Sequence, residues 1–95
     1  MNTVETVFDE LVAMLRDFDG REFSGAIERE SWFFADLGLA SIDAVIFGEK
    51  LEARFGRKLA FGKALADLAR AGRDDFQIGE VADFVCRQVN HPESD

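Results

Sequence analysis

Asp36-Leu37-Gly38-Leu39-Ala40-Ser41-Ile42-Asp43 joins an irregular stretch to an amphipathic one, and the reading of the whole chain turns on that junction. From Ser41 onward Ala44, Phe47, Gly48, Leu51 and Phe55 recur at helical spacing, while Asp43, Glu49, Lys50, Glu52 and Arg54 fall on the outward side. The pattern predicts a helix from Ser41 to about Phe55, stopped by Gly56, with Ser41 as its N-cap. Ile42, Val45 and Ile46 make a second apolar strip beside the serine, of the kind that is either buried elsewhere or offered to a partner.

On the N-terminal side, Val4, Val7, Phe8, Leu11, Met14, Leu15 and Phe18 form one helical stripe. They predict a first helix over residues 3–18, capped by Thr3 without a capping box and stopped at Asp19-Gly20. Residues 19–40 follow neither a helical nor an alternating period. A connection of that length in so short a chain is usually functional or disordered. Trp32, Phe33, Phe34, Leu37 and Leu39 carry too much apolar surface to leave in water, so the loop is expected to pack across the helix ends and hold Ser41 in place.

On the C-terminal side, Leu59, Phe61, Leu65 and Leu68, set among small residues, predict a short third helix over about residues 62–71, ended by Gly72. Ile78, Val81, Ala82, Val85 and Val89 give the stripe of a last helix, flanked by Phe84. The fold class expected is all-α: a four-helix bundle with a long first connection, occupying residues 1–90 and followed by a tail, 91–95.

Composition bounds the partners. Nineteen acidic residues against eleven basic ones give a net charge of −8, which makes nucleic acid and anionic membranes poor partners and basic protein surfaces good ones. Cys86 is the only cysteine, so no internal disulfide forms, and its place near the last stripe reads as a half-buried small hydrophobe. No run approaches a membrane span and the N-terminus lacks a signal pattern, so a cytoplasmic location is expected. His91 stands alone and receives no role. Asp17-Phe18-Asp19-Gly20 opens like a calcium loop, but Arg21 and Glu22 stand at positions that need a ligand and a glycine, so no metal site is expected.

A serine before a helix is ordinarily a cap and nothing more. Here the helix start also offers unpaired N–H groups and partial positive charge, which favour a phosphodiester on the hydroxyl. Gly38 permits the close turn into the helix, and Asp36 is placed to bind backbone donors of the loop.

With those residues in view, Asp36-Leu37-Gly38-Leu39-Ala40-Ser41-Ile42-Asp43 resembles the prosthetic-group site of the acyl carrier protein family, commonly D-L-G-x-D-S-L-D. The resemblance runs from about Val4 to Val89 and includes Ile78-Gly79-Glu80-Val81-Ala82-Asp83-Phe84-Val85, similar to the family's last helix. Two positions depart from it. Ala40 stands where many carriers have Asp, and Gln77 where a Ser or Thr often caps the final helix.

The resemblance implies an acyl-carrier-type bundle in which Ser41 carries a covalent 4'-phosphopantetheine arm from coenzyme A, placed there by a phosphopantetheinyl transferase. Acyl groups would ride on that arm as thioesters in fatty-acid or polyketide biosynthesis, and the carrier itself would catalyse nothing. Asp36, Leu39, Ile42, Asp43, Val45, Ile46, Glu49 and Glu52 would meet the basic docking surfaces of the transferase and of acyl-loading, condensing and acyl-modifying enzymes. A free-standing monomer that does not insert into membranes is the expected form. The competing expectation is an unmodified acidic helical domain that binds another protein through the same face.

Overall fold

Four helices and one minimal hairpin make up the computed structural model, which describes residues 3–18 and 20–90. Asp19, His91 and the rest of the 91–95 tail lie outside the described residues. The order is α1 (Val4–Arg16), β1 (Asp17–Phe18), β2 (Arg21–Glu22), α2 (Ser41–Phe55), α3 (Phe61–Arg70) and α4 (Ile78–Asn90). The mostly helical architecture agrees with the all-α expectation. A radius of gyration of 12.6 Å matches the roughly 12 Å that a compact chain of this length adopts.

Thr3 caps α1 as expected, its Oγ1 accepting the Thr6 N–H at 3.1 Å. The helix stops at Arg16, two residues short of the expected end. There the chain turns extended, so that Asp17 pairs with Glu22 and Phe18 with Arg21. Three hydrogen bonds hold this hairpin to the end of the helix. The Phe23 N–H donates to the Arg16 carbonyl at 3.0 Å, and the Arg16 guanidinium donates to the carbonyls of Phe23 and Gly25. Phe18 stays buried although it has left the helix.

The core is built from Val7, Leu11 and Leu15 of α1, Ala44, Phe47 and Leu51 of α2, and Ile78, Val81, Ala82 and Val85 of α4. α1 and α4 pack against each other along their length. α3 gives the core one buried side chain, Phe61, while Leu65 and Leu68 are only half-buried. It begins one residue earlier than its spacing predicts, because Ala60 takes a left-handed conformation (φ 55°) that turns both Leu59 and Phe61 inward.

The long connection packs as its apolar content requires. Ile27, Phe33 and Leu37 are buried, and Trp32, Phe34 and Leu39 are half-buried. Phe33 stacks on Phe76 with ring centroids 4.7 Å apart and lies 5.5 Å from Phe47, which itself meets Phe18 edge-on at 5.8 Å. One aromatic chain therefore ties the end of α1, the loop, α2 and the approach to α4 into one body. Such ring pairs contribute about 0.5–1.5 kcal/mol each beyond their buried area.

Candidate functional site

The loop reaches Ser41 through two anchors. The first is a strand-like contact with the approach to α4: Phe33 N–H to the Phe76 carbonyl, Ile78 N–H to the Ser31 carbonyl and Gly79 N–H to the Arg29 carbonyl, each 2.9 Å. The second is the Asp75 carboxylate, which accepts N–H groups from Phe34 at 3.0 Å, Ala35 at 3.0 Å and its neighbour Phe76 at 2.8 Å. Residues 32–38 then form a tight turn, with the N–H groups of Asp36 and Leu37 on the Trp32 carbonyl and that of Gly38 on the Phe34 carbonyl. Asp36 binds a loop donor as expected, its Oδ2 accepting the Trp32 N–H at 2.8 Å. Gly38 ends the turn at φ 70°, a conformation that costs a side-chain-bearing residue about 1–2 kcal/mol.

At the start of α2 the structure corrects two expectations. Ala40, not Ser41, is the N-cap; Ser41 is the first helical residue, with its side chain exposed. Asp43, expected to face outward toward partners, is only 7% exposed. Its Oδ2 accepts the Ala40 N–H at 2.8 Å, and its own N–H donates to the Ala40 carbonyl at 2.9 Å. An alanine cap has no side chain to hold the helix start, so the acid three residues later reaches back and does so, which requires it to lie against the protein. The N–H groups of Ser41 and Ile42 keep no acceptor among the described residues, leaving the positive end of the helix dipole open beside the serine hydroxyl.

The other expected site residues divide. Ile42 and Val45 are 63% and 51% exposed and, with Glu49, continue outward from Ser41 along one face. Ile46 is half-buried and packs on the core, so it leaves the outward strip. Glu52 is half-buried as well, its Oε2 accepting the Leu59 N–H at 3.1 Å to close the turn after α2. Leu39 is half-buried beside a small cavity of about 130 Å³ that Leu15, Phe18 and Leu37 help to line.

Ser41 opens onto a groove of about 440 Å³ between α2 and α3. Its walls are apolar: Ala44 and Val45 on one side, Leu65, Leu68 and Ala69 on the other, Phe34 and Phe76 at the loop end. Arg73, Asp74 and Asp75 make its charged rim. Arg73 grips Glu80 with both terminal nitrogens at 2.9 Å, and Glu80 Oε1 also accepts the Gln77 N–H at 2.9 Å. Bonding to the Arg73 fork, and then to Gln77, holds the Glu80 carboxyl below the usual glutamate range, against the opposing effect of partial burial. The same pairing raises Arg73.

Asp75, Arg73 and Glu80 were not singled out from the sequence. Glu80 follows the Gln77 cap by three residues as Asp43 follows Ala40, and that spacing is a readable capping signal. Asp75 gives no such signal, because its partners at Phe34 and Ala35 lie forty or more residues away. Compared with protein-family models, with characterised proteins and with solved structures, the chain gives no match. Among the described residues no helix is long and apolar enough to cross a membrane, and no cluster of three or more His, Cys, Asp or Glu side chains is placed to hold a metal ion.

Proposed function

We propose that this chain is an acyl carrier, taking a 4'-phosphopantetheine arm on Ser41 and presenting acyl thioesters to partner enzymes in fatty-acid or polyketide-type biosynthesis. The observation that carries the reading is the position of Ser41: an exposed hydroxyl at a helix start, on the rim of an apolar groove. A residue serving only to cap the helix would point its oxygen at N–H groups one turn in. Asp43 already stabilises this start from Ala40, so the hydroxyl is spare.

The residues present fit the arm. The open N–H groups of Ser41 and Ile42 suit a phosphodiester oxygen, and the groove walls from Ala44 to Phe76 suit an apolar chain. When bound, the arm supplies a terminal thiol that holds acyl groups as thioesters. In attachment, the Ser41 oxygen forms a bond to the phosphorus of coenzyme A that bears the pantetheine, adenosine 3',5'-bisphosphate leaves, and the serine proton passes to the transferase. Asp43 is no candidate for the base in this chain, since its carboxylate is committed to Ala40.

Ile42 and Val45 supply exposed apolar contact beside the attachment point, and Glu49 supplies the charge that speeds encounter with basic partners. The same exposed pair also supports an unmodified protein-binding domain, in which Ser41 would be dispensable. Peptide mapping after incubation with coenzyme A and a broad-specificity phosphopantetheinyl transferase tests the proposal. A single modified peptide containing Ser41 is expected, and modification confined to another residue contradicts it.

A further inference from the structure

The groove that begins at Ser41 shares its Leu65 and Leu68 wall with a second cavity, and one aromatic ring of α3 bounds that second cavity. Gly48 lies seven residues along α2 from Ser41, roughly 10 Å by helical rise. Phe61, one turn before Leu65 on α3, sits directly on the Gly48 backbone: a β-carbon built on Gly48 would come within 2.6 Å of the Phe61 ring. Absence of a side chain at 48 is what lets α3 approach α2 this closely. Phe61 is only 5% exposed and is braced on three sides, by Phe47 at 6.2 Å, Phe76 at 6.3 Å and Phe84 at 6.1 Å between ring centroids.

Below that ring lies the buried core. Phe47 and Leu51 are fully buried and packed, and protein interiors packed to crystal-like density do not yield a channel without moving several side chains together. The free space lies sideways. A second cavity of about 190 Å³ runs between α3 and α4, shares Leu65, Leu68, Arg73 and Phe76 with the Ser41 groove, and is itself bounded by Phe61 and Phe84. A chain that passes from the groove across the shared Leu65 and Leu68 wall therefore meets the Phe61 ring.

Resting on the carrier reading of Ser41, we propose that Phe61 is a specificity-determining residue that keeps the acyl cargo out of the helical core. The cargo class is then acyl groups short enough to end in the groove under Leu65 and Leu68, with longer chains leaving their distal carbons in solvent. Gly48 is the positioning residue that seats the ring.

The experiment loads the wild-type chain from butyryl-, octanoyl- and dodecanoyl-coenzyme A with the transferase, confirms each load by intact mass, and records amide and methyl NMR shifts. Shifts are expected at Val45, Leu65, Leu68 and Phe76, growing from butyryl to octanoyl and unchanged from octanoyl to dodecanoyl. Leu11, Leu51 and Val85 should stay at the positions of the unacylated holo form throughout. In Phe61→Leu, and in Phe61→Ala if it remains folded, dodecanoyl should add shifts at Leu51. Core shifts at Leu51 and Val85 in the loaded wild type overturn the proposal and leave the carrier reading standing. Absence of any mass gain with an active transferase overturns the carrier reading, and this proposal with it.

Discussion

The carboxylate of Asp43 accepts the N–H of Ala40 at 2.8 Å, so the two residues close a bracket around the first turn of α2 that contains Ser41. The bond explains why an alanine is tolerated at the N-cap, and why the acid two residues after the serine lies buried. It ties the loop's last residue to the helix, and so fixes the direction in which the Ser41 hydroxyl leaves the surface. Asp43→Ala should lower stability by about 1–2 kcal/mol, the usual loss for a missing cap interaction, read as a drop in the urea midpoint. Asp43→Glu, one methylene too long, should recover only part of it.

Asp75 does the same service for the loop over a much longer sequence distance. Its carboxylate holds Phe34 and Ala35 to the approach of α4, and with them the Phe33–Phe76 stack. Hydrogen bonds to a charged group contribute about 1.5–3 kcal/mol, so Asp75→Ala should cost roughly 2–3 kcal/mol in chemical denaturation. Hydrogen exchange at Phe34 and Ala35 should accelerate more than exchange in α1. Equal acceleration across the whole chain would show that the pin is not local.

Gly48 and Phe61 make a coupled pair. Gly48→Ala forces a β-carbon against the Phe61 ring and should destabilise by about 1–3 kcal/mol, as overpacking does. Combined with Phe61→Leu, the loss should be smaller than the sum of the two single changes, since the clash is relieved. Strict additivity in that double-mutant cycle would mean the two side chains do not meet.

Glu80 gives the fold an acid-sensitive point. Its carboxyl titrates below the ordinary glutamate value because Arg73 and the Gln77 N–H bind the charged form. Between the folded and unfolded values the unfolded chain binds more protons, so stability rises with pH there; the contribution is complete above the ordinary glutamate value and is lost as pH falls through the lowered one. Glu80→Gln should flatten that part of the stability–pH curve. A variant whose curve stays as steep as wild type would assign the acid sensitivity to other carboxylates. Arg73, shifted upward, stays charged over the whole range.

Ala60 stands with φ 55° and is exposed, so its methyl group stores strain without packing in return. Ala60→Gly should raise stability by roughly 0.5–1 kcal/mol, the left-handed penalty less the added freedom of glycine in the unfolded chain. The measurement is the denaturant midpoint, and a destabilised variant would contradict the account of this turn.

Much of the architecture was legible because it rests on local pattern. The stripes from Val4 to Leu15, Ala44 to Leu51 and Ile78 to Val85 each repeat at helical period, and Gly56 and Gly72 mark real ends. What misled was competition between local rules. Phe18 continues the stripe of α1 and is buried as that stripe requires, yet Arg16 binds the carbonyls of Phe23 and Gly25 and draws the chain into a hairpin first. At the site, Ser41 has the chemistry of a cap and Asp43 that of a surface acid. Their roles exchange because the acid three residues after Ala40 can serve the cap position from within the helix. Nothing short-range could reveal Asp75, Arg73 or the Phe61 ring on Gly48, since each depends on elements brought together by the packed loop.

The most direct test of the central claim is intact mass before and after incubation with coenzyme A and an active broad-specificity phosphopantetheinyl transferase, for the wild-type chain and for Ser41→Ala. The account predicts that the wild type gains the mass of one phosphopantetheine arm and that Ser41→Ala gains nothing while keeping its fold by circular dichroism. A wild type that gains no mass, or a Ser41→Ala variant that gains as much, contradicts it.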